Sequence, residues 1–409
     1  MVISVHFSNN AETETMPEIR YTRLNSESME KPVRLCSKLP FYSKTLFIIL
    51  CISSLLTCIV YLVTSGAGQF LPETPVYEEK KPVIPKNKRL VLLWTKWWGD
   101  GTWHNFLHNS SPNCSCVFSN DRRYLEQAST LIFHGPDTSQ SDLPKRIQNQ
   151  TWVWYAIESP HYIFQSVKPI EHQMDCYATH RRDSDVYCPY GQTVTRALGS
   201  DVSPEITFGS RKKSIAWLVS KCKTISQREE YVKELQNFTK VDVYGGCGIS
   251  CDKLEIVQRS KDDKCHTLLK DYKFYLAFEN SICKDYFTEK IVTAFNLGLI
   301  PIVMGLTNYS RDFPSNSVIN VFDYPSPREL AEYVEKVSTD EKLYNSYHEW
   351  RKNFTIQPSE IAKDHLCKIC EEVRGNCGRR NHSMLEWWET GGQCTTWQKY
   401  LNQSNSHTI

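Results

Sequence analysis

The chain has 409 residues, of which 40% are hydrophobic, 12% aromatic and 23% charged, a composition that packs cores and excludes disorder throughout. Lys and Arg total 48 against 46 Asp and Glu, a formal charge of +2, so no basic surplus exists to neutralise a phosphate backbone and nucleic-acid binding is disfavoured. Sixteen cysteines are too many to be idle in a reducing cytosol and too few per residue for a small disulfide scaffold, which points to a large secreted or lumenal protein.

In chain order, residues 1–45 read as a disordered cytoplasmic tail. Residues 46–63 (LFIILCISSLLTCIVYLV) are 18 residues without a charge, roughly 27 Å as a helix, and read as a transmembrane signal anchor. A cleaved signal peptide would start near residue 1 and carry a shorter apolar region. Lys31, Arg34, Lys38 and Lys44 crowd the N-terminal flank, and nothing basic follows before Lys80. The positive-inside rule therefore places the N-terminus in the cytoplasm, giving a single-pass type II membrane protein. Asn-X-Ser/Thr sequons begin at Asn109, Asn113, Asn149, Asn237, Asn308, Asn353, Asn381 and Asn402, all eight beyond the span. Thirteen of the cysteines also lie beyond it, as an oxidising compartment allows. Residues 64–88 hold Gly66, Gly68, Pro72, Pro75, Pro82 and Pro85 without apolar periodicity and read as a flexible stem.

Beyond the stem, short apolar runs alternate with amphipathic segments. Residues 89–95, 130–134 and 151–157 predict buried strands. After a polar stretch near residues 195–213, a second series predicts strands at 214–220, 241–244, 273–278 and 300–304. Helices are expected near 227–238 and 288–296, and helical spacing returns over 328–337 and 341–353. Gly298 falls where a helix end needs positive φ. Alternating strands and helices argue for parallel sheets in two successive domains, with ligands at the carboxyl ends of the strands and in the cleft between.

The stretch 273–305, KFYLAFENSICKDYFTEKIVTAFNLGLIPIVMG, carries the most chemistry. A buried strand runs into a polar loop holding Glu279, Asn280, Lys284, Asp285 and Tyr286, and Thr288 is expected to cap a helix whose first turn contains Glu289 and Lys290. Free N–H groups and a partial positive charge at such a helix start favour phosphate, to which Lys290 adds a full charge. An ordinary capped surface helix is the competing reading.

This stretch resembles the signature of the α1,3-fucosyltransferases, glycosyltransferase family 10, in FYLAFENS, KDYFTEK and GLIPIVMG. The likeness continues in IESP (157–160), HRRDSDVYCPYG (180–191), Trp217 to Ser220 followed by Arg228, WRKNF (350–354) and Cys367-Lys368-Ile369-Cys370, covering roughly residues 90–390. The resemblance implies a GT-B architecture: two Rossmann-like α/β domains facing a cleft, an acceptor-side domain over 89–205 and a GDP-fucose-binding domain over 206–390, then a C-terminal tail over 391–409. It implies a Golgi enzyme that moves L-fucose from GDP-fucose to a GlcNAc hydroxyl of a glycoprotein glycan, with inversion. Ser220, Arg228, Tyr275, Asn280, Tyr286, Glu289 and Lys290 would surround GDP-fucose. Arg228 and Lys290 would offset the diphosphate charge, and Glu289 would hold fucose hydroxyls. Inversion by direct displacement needs a base for the acceptor proton, and Glu158 in IESP, at a strand end facing the cleft, is the candidate; Glu279 and Asp285 are the next.

Several rival readings accompany this one. Asp183-Ser184-Asp185 has the form that holds Mn²⁺ against a diphosphate in other sugar-nucleotide transferases. A salt bridge of these residues with Arg181 or Arg182 is the alternative, and the family resemblance implies chemistry that needs no metal, with a divalent cation at most stimulatory. Cys367 and Cys370, with His365, Cys377 and His382 nearby, would also suit a zinc knuckle. Disulfides fit an oxidising lumen better, and by resemblance this pair bridges back to Cys114 and Cys116. Cys247, Cys251 and Cys265 are close enough for a local bridge, and an odd count of thirteen leaves one cysteine over. A non-catalytic type II lectin or receptor would share the anchor, sequons and disulfides. Two departures from the family stand out. Phe133-His134-Gly135 replaces the His-His-Arg/Trp acceptor element of Lewis-type members, so antennal and core GlcNAc both stand as acceptors. Lys221 occupies a position where many relatives have Asn.

Overall fold

A computed structural model describes residues 52–54, 56–57, 87–99, 103, 114–163, 167–197, 208–251, 261–373, 377 and 383–406. The chain divides into a unit of residues 1–81 and a unit of residues 82–409. In the first, residues 52–54 and 56–57 are helical. The rest of the expected anchor, the tail and nearly all of the stem lie outside the described residues, among which no helix is long and apolar enough to cross a membrane.

The second unit contains two parallel sheets. The first comprises β1 (Arg89–Leu93), β2 (Cys116–Ser119), β3 (Thr130–His134), β4 (Thr151–Ala156), β5 (Cys176–Thr179) and β6 (Val186–Tyr187), in the order β2-β1-β3-β4-β5-β6. Next, β7 (Gly191–Thr195) leaves this sheet. The second sheet comprises β8 (Lys213–Leu218), β9 (Val241–Tyr244), β10 (Tyr272–Phe278), β11 (Ile300–Met304) and β12 (Ile319–Asn320), in the order β12-β11-β10-β8-β9. Both sheets therefore follow a 2-1-3-4-5 order, whose direction reverses between β1 and β3 and between β8 and β10. Ligands of open parallel sheets gather at such reversals, outside the strands' carboxyl ends. These are two Rossmann-like halves of a GT-B-like α/β fold.

The apolar pattern explains the layers. Every residue of β3 and β10 is buried, as parallel strands covered on both faces require. Helices α1 (Arg228–Leu235), α2 (Glu289–Asn296) and α3 (Pro327–Thr339) cover the second sheet. Their buried residues recur at helical spacing: Tyr231, Val232 and Leu235; Ile291, Val292, Ala294 and Phe295; Leu330, Ala331, Val334 and Val337. Each such large apolar side chain contributes about 1.5–3 kcal/mol on burial. Gly298, at φ +71°, turns the chain out of α2.

The first half differs from the expected strand–helix alternation. Among the described residues, the connections from β2 to β5 hold only short 3-10 turns, three of which carry Pro136, Pro160 or Pro169 in their first two positions. Its exposed faces are covered instead by the C-terminal segment. Strand β13 (Phe354–Pro358) pairs antiparallel with β7, after which Leu366, Ile369 and Val373 enter one core of the first half and Met384, Trp387 and Trp388 enter the other. Disulfides Cys114–Cys367, Cys116–Cys370 and Cys176–Cys377 fix this return. Residues 361–373, 377 and 384–388 thus pack with the first half rather than inside a 206–390 domain. Residues 391–409 are more than a tail: helix α4 (Trp397–Ser406) returns Trp397 to the core of the second half.

Candidate active site

The reversal of the second sheet collects the residues expected around a nucleotide sugar. Ser220 and Lys221 follow β8, Glu279 and Asn280 follow β10, and α2 begins at Glu289. Arg228, the first residue of α1, is buried; its guanidinium donates to Phe278 O at 2.6 Å and Lys221 O at 3.4 Å, while its Nε meets no partner. Burial lowers its pKa, although Glu279 nearby opposes this. Arg228 therefore braces the two strand ends with part of its fork and keeps one donor uncommitted. Asn280 Oδ1 is also buried and meets no hydrogen-bond partner. Tyr275 is buried, and its hydroxyl lies 3.5 Å from Leu218 O.

Glu279 is the pivot of this side. Its buried carboxylate accepts from Thr288 N–H at 2.8 Å, from the Thr288 hydroxyl at 2.9 Å and from Lys290 Nζ at 3.0 Å. Thr288 does occupy the position before α2, but its hydroxyl turns to Glu279 and makes no cap bond, so the expected Thr288 cap is corrected. The hydroxyl donates its hydrogen to Glu279 and its oxygen accepts from Lys290 Nζ at 2.6 Å, so the lone pair that a cap would use faces the lysine and not the helix N–H groups. Thr288 therefore leaves the first turn of α2 without a side-chain cap, and the Glu289 carboxylate turns back to its own N–H. Burial opposes the charge of Lys290, but Glu279 and Glu289 outweigh it and hold its pKa above the ordinary lysine value. Glu289 lies 3.3 Å from Lys290 Nζ with its side chain 54% exposed, open to the cleft. Its pKa falls because Lys290 and nearby hydrogen bonds overcome the partial burial that would raise it.

The first half supplies Glu158 just beyond β4. The Tyr286 hydroxyl donates to Glu158 Oε2 at 3.3 Å, so the two halves meet at this carboxylate. Burial raises the Glu158 pKa, Glu289 and Glu279 add to the rise, and Lys290 and Tyr286 oppose it. Burial also holds the Tyr286 pKa well above its ordinary value, with Glu158 adding to it, so the phenol stays a donor. The arrangement places a poised carboxylate, a cation and an open carboxylate about one cleft, the equipment for deprotonating one reactant while binding an anionic leaving group.

Of the alternative metal ligands, Asp183 is bound by Arg181 at 2.7 Å and Lys284 at 3.2 Å. Partial burial opposes its charge, but these cations hold its pKa at about 2. Asp185 accepts from Tyr177 N–H at 2.7 Å. Arg182 pairs with Asp312 rather than with the Asp-X-Asp carboxylates. Cys367, Cys370 and Cys377 are in disulfides and His365 is held between Tyr155 and Pro189, while His382 lies outside the described residues. His161, Cys283 and Cys394 bring their donor atoms within 4.8 Å, but the two sulfurs are bonded to each other. The local bridges are Cys222–Cys247 and Cys251–Cys265, and Cys188 is the free, buried cysteine among the described residues. Asn149, Asn237, Asn308, Asn353 and Asn402 are exposed, and Asn109, Asn113 and Asn381 lie outside the described residues.

Three features escape a reading of the sequence. His365 Nε2–H donates to Pro189 O at 2.8 Å, which leaves Nδ1 to accept from Tyr155 at the end of β4. Their 210-residue separation carries no local signal. His180 packs edge-on against Tyr286, and burial pushes its pKa down to about 3, so it is a neutral wall of the site. At the reversal of the first sheet, Asp137 joins His134 Nδ1 to the backbone N–H groups of Trp98 and Gly99. Gly135 follows, where a Cβ would lie 2.8 Å from Ala156 Cβ and 2.9 Å from the Trp154 ring, so no larger residue fits this backbone without a shift.

Residues 86–191 match the family model "Fucosyltransferase, N-terminal", and residues 208–388 match "Glycosyltransferase family 10 (fucosyltransferase) C-term". Alpha-(1,3)-fucosyltransferase C of Drosophila melanogaster is 30% identical over 341 residues, spanning 74% of this chain and 78% of that protein. The 4-galactosyl-N-acetylglucosaminide 3-alpha-L-fucosyltransferase 9 of Homo sapiens is 34% identical over 280 residues, 67% of this chain and 74% of that protein. A crystal structure of an alpha1,3-fucosyltransferase with GDP-fucose superposes with a TM-score of 0.44 at 17% identity, over 66% of this chain and 83% of that one.

Proposed function

The chain belongs to glycosyltransferase family 10, the fucosyltransferases, and from that premise we propose that it is an inverting, GDP-fucose-dependent α1,3-fucosyltransferase acting on a GlcNAc hydroxyl of a glycoprotein glycan. The observation that carries the reading is Glu158. A carboxylate of raised pKa, bonded by Tyr286 and under the field of Lys290, stands in the cleft between two Rossmann-like halves.

In this reading Glu158 takes the acceptor hydroxyl proton as that oxygen attacks the fucose anomeric carbon and the bond to GDP breaks. Lys290, the N–H groups opening α2 and the uncommitted Nε of Arg228 meet the charge that grows on the diphosphate. Asn280 Oδ1 accepts from the nucleotide sugar, Glu289 accepts from fucose hydroxyls, and Ser220, Tyr275 and Tyr286 line the pocket. The first half is the acceptor side and the second half the donor side, with residues 361–373 and 384–388 completing the former. Residues 46–63 anchor the chain as a single-pass type II protein of the Golgi membrane, with this unit lumenal; the charge asymmetry about the run and the sequons beyond it support this.

The test is transfer from GDP-fucose to a panel of N-glycans with free antennal or core GlcNAc, read by mass spectrometry. A gain of one deoxyhexose with release of GDP supports the reading, and binding of glycans without turnover refutes it in favour of a lectin.

A further inference from the structure

The segment that carries Glu158 is stitched to the donor half at three places in a row. Tyr286 donates to Glu158, the Ser159 hydroxyl donates to Ser281 Oγ at 2.8 Å, and Lys221 Nζ lies 3.7 Å from the centroid of the Tyr162 ring. The first two contacts involve neighbours of the donor loop after β10. The third comes from the other side of the switch point, the end of β8, so the three together hold the segment from both strands that flank the proposed donor site.

Lys221 is mounted rigidly. Its carbonyl accepts from Arg228 Nη2, the preceding Ser220 packs its backbone against Gly246, and the following Cys222 is bonded to Cys247. Tyr162 is buried, and its N–H donates to Ser159 O at 2.9 Å, one residue after the base. An ammonium over an aromatic face is attracted by the ring quadrupole, and at a partly exposed site the contact is modest.

We propose that Lys221 is a positioning residue: its cation–π contact with Tyr162 fixes the Glu158-bearing segment against the donor half, so that the base stands at the right distance from the anomeric carbon. The proposal rests on the fucosyltransferase reading above. It assigns Lys221 to catalysis through Tyr162 and not to the diphosphate, although its charge and its place beside Ser220 would suit either.

Variants of the full chain separate these roles. With Lys221→Met, kcat should fall about two- to fivefold, the span expected for loss of one such contact. Affinity for GDP and the KM for GDP-fucose should not change. Lys221→Arg and Tyr162→Phe each keep a cation over a ring and should retain wild-type kcat. In a Tyr162→Leu background Lys221→Met should cost nothing further, the signature of a coupled pair. Weakened GDP binding in Lys221→Met would show a donor contact and overturn the proposal, as would an unchanged kcat or a full cost in the Tyr162→Leu background. If Tyr162→Leu does not fold, the contrast between Lys221→Met and Lys221→Arg decides alone: equal kcat in both overturns the proposal. Absence of fucose transfer by the wild-type chain would instead remove the fucosyltransferase reading before any variant is compared.

Discussion

Tyr286 and Glu158 come from opposite halves of the fold and meet at 3.3 Å, phenol to carboxylate. The bond favours the ionised carboxylate, while burial first and then Glu289 and Glu279 favour the neutral acid, with a raised pKa as the outcome. A base must be ionised to act. The rate of transfer should therefore fall on acidification with a midpoint above the ordinary glutamate value, and Tyr286→Phe should move that midpoint higher still. A pH–rate profile checks both shifts, and a midpoint in the ordinary carboxylate range would show that burial does not govern this group.

The same raised pKa has a stability sign. A carboxyl whose pKa rises on folding contributes stability that is present below its unfolded value and lost as pH rises through the folded value. Glu158→Gln should therefore melt at a higher temperature than wild type near pH 7, and the gain should shrink toward pH 4. Thermal unfolding at the two pH values measures it.

Lys290 and Glu279 form a buried pair whose members do different work. Lys290→Ala should weaken GDP binding by about ten- to a hundredfold, the worth of one charge-assisted bond to phosphate. It should also lower the melting temperature, because Glu279 loses its cation. Adding Glu279→Gln should recover much of the stability and none of the affinity. Calorimetry with GDP beside thermal unfolding separates the two effects, and recovery of GDP binding in the double variant would mean that Glu279, not loss of Lys290, set the affinity.

Activity should survive EDTA. Asp183 is engaged by Arg181 and Lys284 and Asp185 by a backbone N–H, so a divalent ion would have to displace two cations from Asp183 before reaching a diphosphate. Loss of all turnover in EDTA, restored by Mn²⁺ and abolished by Asp183→Asn, is the outcome this arrangement does not allow.

The central strands of the second sheet, β10 and β11, were legible because they are continuous apolar runs. KFYLAF and IPIVM each match a strand to within a residue, and the polar residues that follow fall at the strands' carboxyl ends, where chemistry collects. Short strands such as β2, β6 and β12 carry too few residues for a period to show. Contacts that depend on the chain's return were illegible for a different reason. Cys176 meets Cys377 across 201 residues, and Trp387 stacks on Tyr177 at 5.2 Å, pairings that no local pattern encodes. Glu279 was readable as a carboxylate beside the site, but its three donors come from the fold of the loop that follows it. Its role as anchor of Lys290 is tertiary information.

The central claim is that Glu158 removes the acceptor proton, and steady-state kinetics of Glu158→Gln test it most directly. Glutamine keeps the size and polarity of the side chain and cannot take the proton. The account predicts kcat lowered by roughly a hundredfold or more, with affinity for GDP nearly intact and the acid limb of the pH profile gone. Near-normal kcat accompanied by weak GDP-fucose binding would contradict it.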